Sequence, residues 1–103
     1  MASGILGNTD GNDSNQTVYT VPGSTLAVVN VAICNTTTSA DDVVLYALGN
    51  GDSAATATTI EDLSLGAGSV IERTNIVLED GGSIVFNASA GTAISVWGIE
   101  EAV

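Results

Sequence analysis

The chain has neither histidine nor lysine, and Arg73 is its only basic residue. Without these side chains it offers no Ser-His or Cys-His nucleophile pair, no lysine nucleophile and no conventional zinc site. Twelve acidic residues leave a formal net charge of -11. Because nucleic acids and anionic membranes are bound through clustered basic side chains, we expect no nucleic acid and no membrane among the partners.

Cysteine and long hydrophobic runs are scarce as well. Cys34 is the only cysteine, so the chain cannot form an internal disulfide. Since Cys34 lies within an apolar run, we interpret it as a small buried hydrophobic residue and not as a reactive thiol. The sequence has no run of about 20 apolar residues and no basic, apolar leader, so we expect neither a membrane span nor an export signal.

The composition that is present is that of a folded β-domain. Of the 103 residues, 45% are hydrophobic and 13% are charged, which suits one domain with one core. The apolar residues are mainly Val, Ile, Leu and Ala, only 4% of the chain is aromatic, and Thr, Ser, Asn and 12 glycines dominate the remainder. This mixture is typical of β-strands joined by tight turns.

Alternating polar and apolar residues, interrupted by turn residues, predict about seven short strands. They cover residues 16–21, 25–35, 43–48, 58–65, 70–78, 83–89 and 93–100. Residues 25–35 form the longest apolar run and are predicted to be a central strand. The glycine-containing turn at residues 79–82 predicts a hairpin, so we expect the last three strands to form an antiparallel meander. The fold predicted is a single all-β domain, a β-sandwich of jelly-roll or immunoglobulin-like type.

The first residues differ from the rest. Residues 1–14 are rich in Gly, Asn and Asp and show no periodicity, so we predict a flexible N-terminal arm before a domain at residues 15–103. Within the arm, the apolar pair Ile5 and Leu6 lies between glycines and could attach the arm to a neighbouring subunit by adding a strand to its sheet. A frayed terminus is the alternative. Either way, removing the arm is expected to leave the domain folded.

Two further residues are candidates for contact with a subunit or partner. Arg73 could bind a carboxylate of a neighbouring subunit through two parallel hydrogen bonds, or it could form a local pair with Glu72 or Asp62. Trp97 could anchor an interface, because tryptophan is enriched at binding hot spots. Simple packing of Trp97 in the core is the alternative.

Carboxylates are the remaining source of chemistry. Adjacent acids occur at residues 41–42, 61–62, 79–80 and 100–101. Neighbours on a strand point to opposite faces, so these pairs do not suit a glycosidase, whose two carboxylates face each other. Residues 8–13 place oxygen ligands at alternate positions, but the glycine of an EF-hand loop is misplaced here and Tyr19 stands where its bidentate glutamate should be. We therefore expect no enzyme, no cofactor and no metal site.

Four segments resemble small structural proteins of tailed bacteriophages, particularly marine and cyanobacterial ones. They are VYTVP at 18–22, ICN at 33–35, IERT at 71–74 and VWGIEE at 96–101. The likeness extends over residues 17–101 and consists of turn and strand motifs without catalytic content. It implies a virion component, and it assigns no binding residue.

Two functions are compatible with that resemblance. The first is a capsid decoration or cement protein, of the kind that stabilises a phage head by bridging capsid subunits, with the major capsid protein as partner. The second is a tail, neck or fibre component that binds another tail protein or a host glycan. In either case we expect a homo-oligomer, most simply a trimer, because a small domain gains by burying strand faces between subunits. The expected location is the virion, assembled in the host cytoplasm.

Overall fold

The computed structural model describes residues 3–103, which form an all-β structure of eight strands. The strands are β1 Ser3–Asp10, β2 Gln16–Thr20, β3 Thr25–Asn35, β4 Asp41–Leu48, β5 Thr59–Leu65, β6 Val70–Leu78, β7 Ser83–Asn87 and β8 Thr92–Ala102. A single 3-10 turn, Thr56–Thr58, precedes β5. Seven of these strands lie close to the predicted ones, and β1 is an addition.

The strands form two antiparallel sheets of four strands each. Sheet A has the order β1-β8-β3-β6, and sheet B has the order β2-β7-β4-β5. The pairing is nested: β1 pairs with β8, β2 with β7, β3 with β6 and β4 with β5. Only β4 and β5 are consecutive in the chain and paired with each other, and every other connection crosses between the sheets.

The predicted meander of the last three strands is therefore wrong. The turn after β6 leads from sheet A into sheet B, where β7 lies between β2 and β4, and β8 then returns to sheet A. Glycines in a turn allow the chain to reverse, but they do not determine whether the strands on either side pair with each other. The long-range pairing of β6 with β3 decides the arrangement here.

The hydrophobic core lies between the two sheets. In β3 the side chains of Val29, Val31 and Ile33 are almost completely buried, as the alternation in the sequence predicts. Sheet B contributes Leu45 and Phe86, which are also fully buried. Since buried aliphatic side chains each contribute about 1.5–3 kcal/mol relative to exposure, many small contacts make up for the scarcity of aromatic rings.

The N-terminal segment is a strand, which corrects the prediction of a flexible arm. Ser3–Asp10 pairs antiparallel with β8 along its length, with a bulge between Ile5 and Gly7. A Cβ atom at Gly7 would lie 2.4 Å from the backbone oxygen of Val18, so β1 is fitted closely against β2. Leu6 packs against the core. The sequence of this segment has no alternation that would predict a strand, because the pairing of β1 depends on backbone hydrogen bonds and on a small residue at position 7. Met1 and Ala2 of the predicted arm lie outside the described residues.

Hydrogen bonds link the two sheets at both ends of β8. At its start, Asp41 of sheet B accepts hydrogen bonds from the Thr92 hydroxyl at 2.7 Å and from the backbone N–H of Ser89 at 3.0 Å. Near its end, the hydroxyl of Tyr19 in sheet B donates to the Glu100 carboxylate. These contacts fix how the sheets are placed relative to each other.

A buried asparagine organises the far end of β3. Asn35 is fully buried, and its amide donates to the backbone oxygens of Ser39 and Leu65 at 2.9 and 3.0 Å. Its side-chain oxygen accepts from the backbone N–H and the hydroxyl of Thr37 at 2.9 and 2.7 Å. Every polar atom of the side chain is therefore satisfied, as burial requires.

Candidate interaction surface

The outer face of sheet A is built from the alternate residues of its two central strands. In β3 the residues between the buried ones, including Val28 and Asn30, point away from the core and are partly exposed. Their cross-strand neighbours in β8 are Ile99 and Trp97. Because β3 and β8 pair in continuous register over their whole length, these residues form one flat surface.

The two edge strands widen this surface with exposed hydrophobic side chains. Ile5 of β1 lies opposite Trp97 and is 64% exposed, and Val77 of β6 lies opposite Val28 and is 62% exposed. Ile99 is 48% exposed. We call Ile5, Val28, Val77, Trp97 and Ile99 the apolar patch. A continuous exposed apolar patch of this kind marks an interaction site more often than a free surface.

The distribution of exposed hydrophobic residues supports this assignment. The large hydrophobic side chains that are exposed in residues 3–103 are Ile5, Val70, Val77, Ile99 and Val103. Val70 pairs with Cys34 and belongs to the same outer face as the patch. The strands of sheet B carry none of these exposed hydrophobic side chains, and Asp42 and Asp62 are exposed on its outer face.

Acidic residues border the patch. Glu72 in β6 lies opposite Ala32, and Glu101 in β8 lies opposite Leu26, both on the outer face. Asp10, further along the same face and not next to the patch, ends β1 opposite Ala93. All three acids are exposed. The outer face of sheet A therefore has an apolar centre and a negatively charged rim.

Arg73 does not contribute to this face. Its guanidinium forms an ion pair with Glu61 at 2.7 Å and donates to the backbone oxygen of Ile60 at 2.9 Å. Arg73 is on the edge strand of sheet A and Glu61 is on that of sheet B, so the pair joins the two sheets along one side. The partner differs from both expected ones, Glu72 and Asp62. The side chain of Arg73 is still 43% exposed, and its contact with a neighbouring subunit stays a prediction.

The structure brings two of the four candidate contact residues together and separates the others. Ile5 and Trp97 are cross-strand neighbours on the outer face. Trp97 is partly buried beside Ile5 on this face, on the side away from the core. Leu6, adjacent to Ile5 in sequence, instead turns inward at the bulge and packs against the core. Cys34 is only partly buried, also on the outer face of sheet A, and not in the core.

Two of the acid pairs, those in β4 and β5, show the predicted separation, whereas Glu79 and Asp80 are both exposed in the turn after β6. Asp41 is bound to Ser89 and Thr92 while Asp42 is exposed, and Glu61 is bound to Arg73 while Asp62 is exposed. Within residues 3–103 no cluster of three or more Asp, Glu, Cys or His side chains could hold a metal ion, and the surface of this part has no pocket. No helix in the described part is long and apolar enough to cross a membrane.

Reasoning from the sequence missed the patch as a unit. The signal was present in β3 and β8, where residues on both faces are largely uncharged, whereas a strand with one face in water normally alternates with charged residues. Comparison with known proteins adds no identification: neither protein-family models nor curated proteins nor solved structures give a match. The resemblance to phage structural proteins thus stands on the four sequence segments alone.

Proposed function

We propose that the protein is a non-enzymatic structural component of a virus particle, a capsid decoration or cement protein that bridges capsid subunits. The observation that carries the proposal is the apolar patch on sheet A, where Ile5, Val77 and Ile99 are each about half exposed or more. A chain of net charge -11 that nevertheless keeps one face apolar has a surface suited to another protein. Docking through this face would leave the acidic outer face of sheet B in solvent.

The strand order favours one of the two fold types predicted from the sequence. Nested pairing of eight strands, β1 with β8 through β4 with β5, wound into two four-stranded sheets, is the arrangement of a jelly-roll sandwich. An immunoglobulin-like sandwich would pair more strands that are consecutive in the chain. Jelly rolls are common in viral capsid and lectin domains. This part of the proposal is an analogy at the level of the fold.

A homo-oligomer, most simply a trimer, is part of the proposal. Because the apolar patch contacts the capsid in this proposal, copies of the protein would contact each other through their edge strands. Repulsion between chains of net charge -11 makes such association stronger when salt shortens the Debye length. Light scattering of the purified protein at low and high salt measures this association. A monomeric mass both at high salt and on the particle would refute the trimer.

The decisive test of the main proposal is the copy number of the protein in purified particles. Quantitative mass spectrometry against the major capsid protein should give a fixed, high ratio, and a cryo-EM map should show the domain on the outside of the capsid with sheet A toward it. Absence from particles would refute the proposal. A few copies per particle would favour the tail, neck or fibre alternative.

That alternative has one specific observation in its favour. Trp97 lies on an open sheet face beside the amide of Asn30, whose nitrogen is 3.5 Å from the Trp97 backbone oxygen. A Trp side chain on an open face has an apolar body and a polar N–H available to a ligand, and jelly rolls occur in lectin domains. Glycan-array binding that is lost in Trp97→Ala would support this function over capsid decoration.

A further inference from the structure

We infer that the partner covering the apolar patch is a different protein whose own apolar surface is bordered by Lys and Arg, and not a second copy of this chain. The inference rests on the proposed function, because it specifies the chemistry of the surface to which the protein binds. Its basis is the charge around the patch and the position of the chain's single cation.

The patch is large enough to require a cover. It extends across all four strands of sheet A, from Ile5 in β1 to Val77 in β6, which is about 14 Å at the usual strand spacing. Trp97 lies near its middle, opposite both Ile5 and Asn30. An aromatic residue with aliphatic side chains beside it, here Ile5 and Ile99, is typical of an interface centre.

The rim of the patch carries acids without compensating cations. Glu72 and Glu101 are exposed on the outer face of sheet A. Among residues 3–103 the only ion pair joins Arg73 to Glu61, and it lies on the side of the sheet that faces sheet B. No basic side chain is therefore available to the rim.

This arrangement disfavours a second copy as the cover. Two copies packed face to face would bring rim acids of both chains together, and neither chain has a basic side chain on this face to separate them. Like charges brought together at an interface cost binding energy and select against that partner. A partner with Lys and Arg around an apolar centre would instead pair with the same acids. Anionic lipid is disfavoured for the same reason as a second copy.

The test measures binding of the full-length protein to particles from which it has been stripped, at about 50, 150 and 500 mM NaCl. We expect affinity to fall as salt rises. Val77→Ser should weaken binding about fivefold, which corresponds to a moderate interface residue. Glu72→Gln combined with Glu101→Gln should weaken it about two- to fivefold at low salt and flatten the salt dependence.

Matched controls lie outside the patch. Val103→Ser changes a valine at the C-terminus that is even more exposed than Val77, and Asp62→Asn removes an exposed charge from the outer face of sheet B. Both should bind like the unmodified protein. If the patch and rim variants bind no differently from these controls, the inference is overturned while capsid decoration stands.

A second probe keeps the inference testable if stripped particles do not bind the protein at all, which would count against the proposed function. An amphipathic peptide of alternating Leu and Lys, immobilised on a sensor surface, presents an apolar and basic face. Binding of this peptide should weaken in Val77→Ser and in the Glu72 and Glu101 variants more than in the controls; equal weakening would overturn the inference. Self-association that is abolished by Val77→Ser would overturn it too, because the cover would then be a second copy.

Discussion

The hydroxyl of Tyr19 donates a hydrogen bond to the carboxylate of Glu100 and thereby joins β2 of sheet B to β8 of sheet A. Tyr19 is only 8% exposed. Burial of the phenol, followed by the hydrogen bond and the negative charge of Glu100, raises the pKa of Tyr19 far above its usual range. The neutral phenol is thus favoured in the folded state.

Replacing Tyr19 by Phe should lower the free energy of unfolding by about 1–3 kcal/mol at pH 7, because a hydrogen bond to a charged acceptor is lost. The pH dependence gives a second readout. With a raised folded pKa, the contribution of Tyr19 is present below the unfolded value of about 10 and is lost as pH rises above it. The unmodified protein should therefore lose stability between about pH 10 and 12 more steeply than Tyr19→Phe. Urea unfolding at each pH measures both effects.

The control for this experiment is Tyr46→Phe, since Tyr46 lies partly buried in β4 of sheet B with no hydrogen bond to Glu100. If the unmodified protein and Tyr19→Phe lose stability equally steeply as pH rises above about 10, the assigned role of Tyr19 is refuted.

Asp41 forms the corresponding link at the other end of β8. Burial pushes the pKa of Asp41 upward, but the hydrogen bonds from Thr92 and Ser89 outweigh it and lower the pKa below its ordinary value. A lowered folded pKa means that the stabilisation is present above the unfolded value of about 3.9 and is lost as pH falls through the folded value. Asp41→Asn should destabilise the protein at pH 7 and reduce the loss of stability in acid.

The neighbouring substitution Asp42→Asn is the matched control, because Asp42 is exposed on the outer face of sheet B. Urea unfolding at pH 7 and between about pH 4 and 2 compares the two variants. If Asp41→Asn and Asp42→Asn have the same effect at both ends of this range, the contact of Asp41 with Thr92 does not hold the sheets together.

Much of the sheet structure could be predicted from the sequence, but the way in which strands pair could not. Alternation identified the buried face of β3, where Val29, Val31 and Ile33 are exposed by 1% or less. The glycines at residues 81 and 82 indicated a turn, yet that turn joins strands of different sheets. The alternation of buried and exposed side chains along a strand is a local property, whereas the nested pairing of strands depends on contacts between residues far apart in the chain.

The apolar patch could not be predicted from the sequence for the same reason, because it depends on how distant strands pair. Ile5 and Trp97 could be named singly from their chemistry, but their contact depends on the register of β1 against β8. Leu6 could not be distinguished from Ile5, because the bulge that turns Leu6 inward leaves no periodic signal. Asn35 was also missed as a structural residue. Asn35 was predicted as the last residue of a strand, next to a turn where asparagine is common, and nothing local shows that its side chain is buried.

Asn35→Ala should lower the free energy of unfolding by about 2–4 kcal/mol. The substitution removes the hydrogen bonds to Ser39, Leu65 and Thr37, of which the one to the Leu65 backbone oxygen is buried and costs most to lose. Asn87→Ala provides the comparison, since Asn87 also ends a strand but donates to the exposed side chain of Asn15. Thermal melts of the two variants should differ by about 4 °C or more. Similar melting temperatures would show that Asn35 does not organise this end of the fold.

The strand β1 was predicted from the sequence to be part of a flexible arm. Deleting residues 1–10 would expose the edge of β8 and remove the partly buried Leu6 from its contact with the core, which contributes less than the roughly 1.5–3 kcal/mol of a fully buried leucine. We therefore expect a loss of about 3 kcal/mol or more once the strand hydrogen bonds are included. A tail that only attached to neighbours would leave stability unchanged.

A point substitution tests the same idea without removing a strand. Gly7→Ala would place a Cβ atom 2.4 Å from the backbone oxygen of Val18, so β1 or β2 must shift, at a cost of about 1–3 kcal/mol. Gly23→Ala is the control, because a Cβ atom there meets nothing within 4 Å. Chemical denaturation should rank the proteins in the order unmodified and Gly23→Ala, then Gly7→Ala, then the deletion. Because the clash exists only if β1 is docked against β2, equal stability of the two glycine variants would mean that the segment is free in solution.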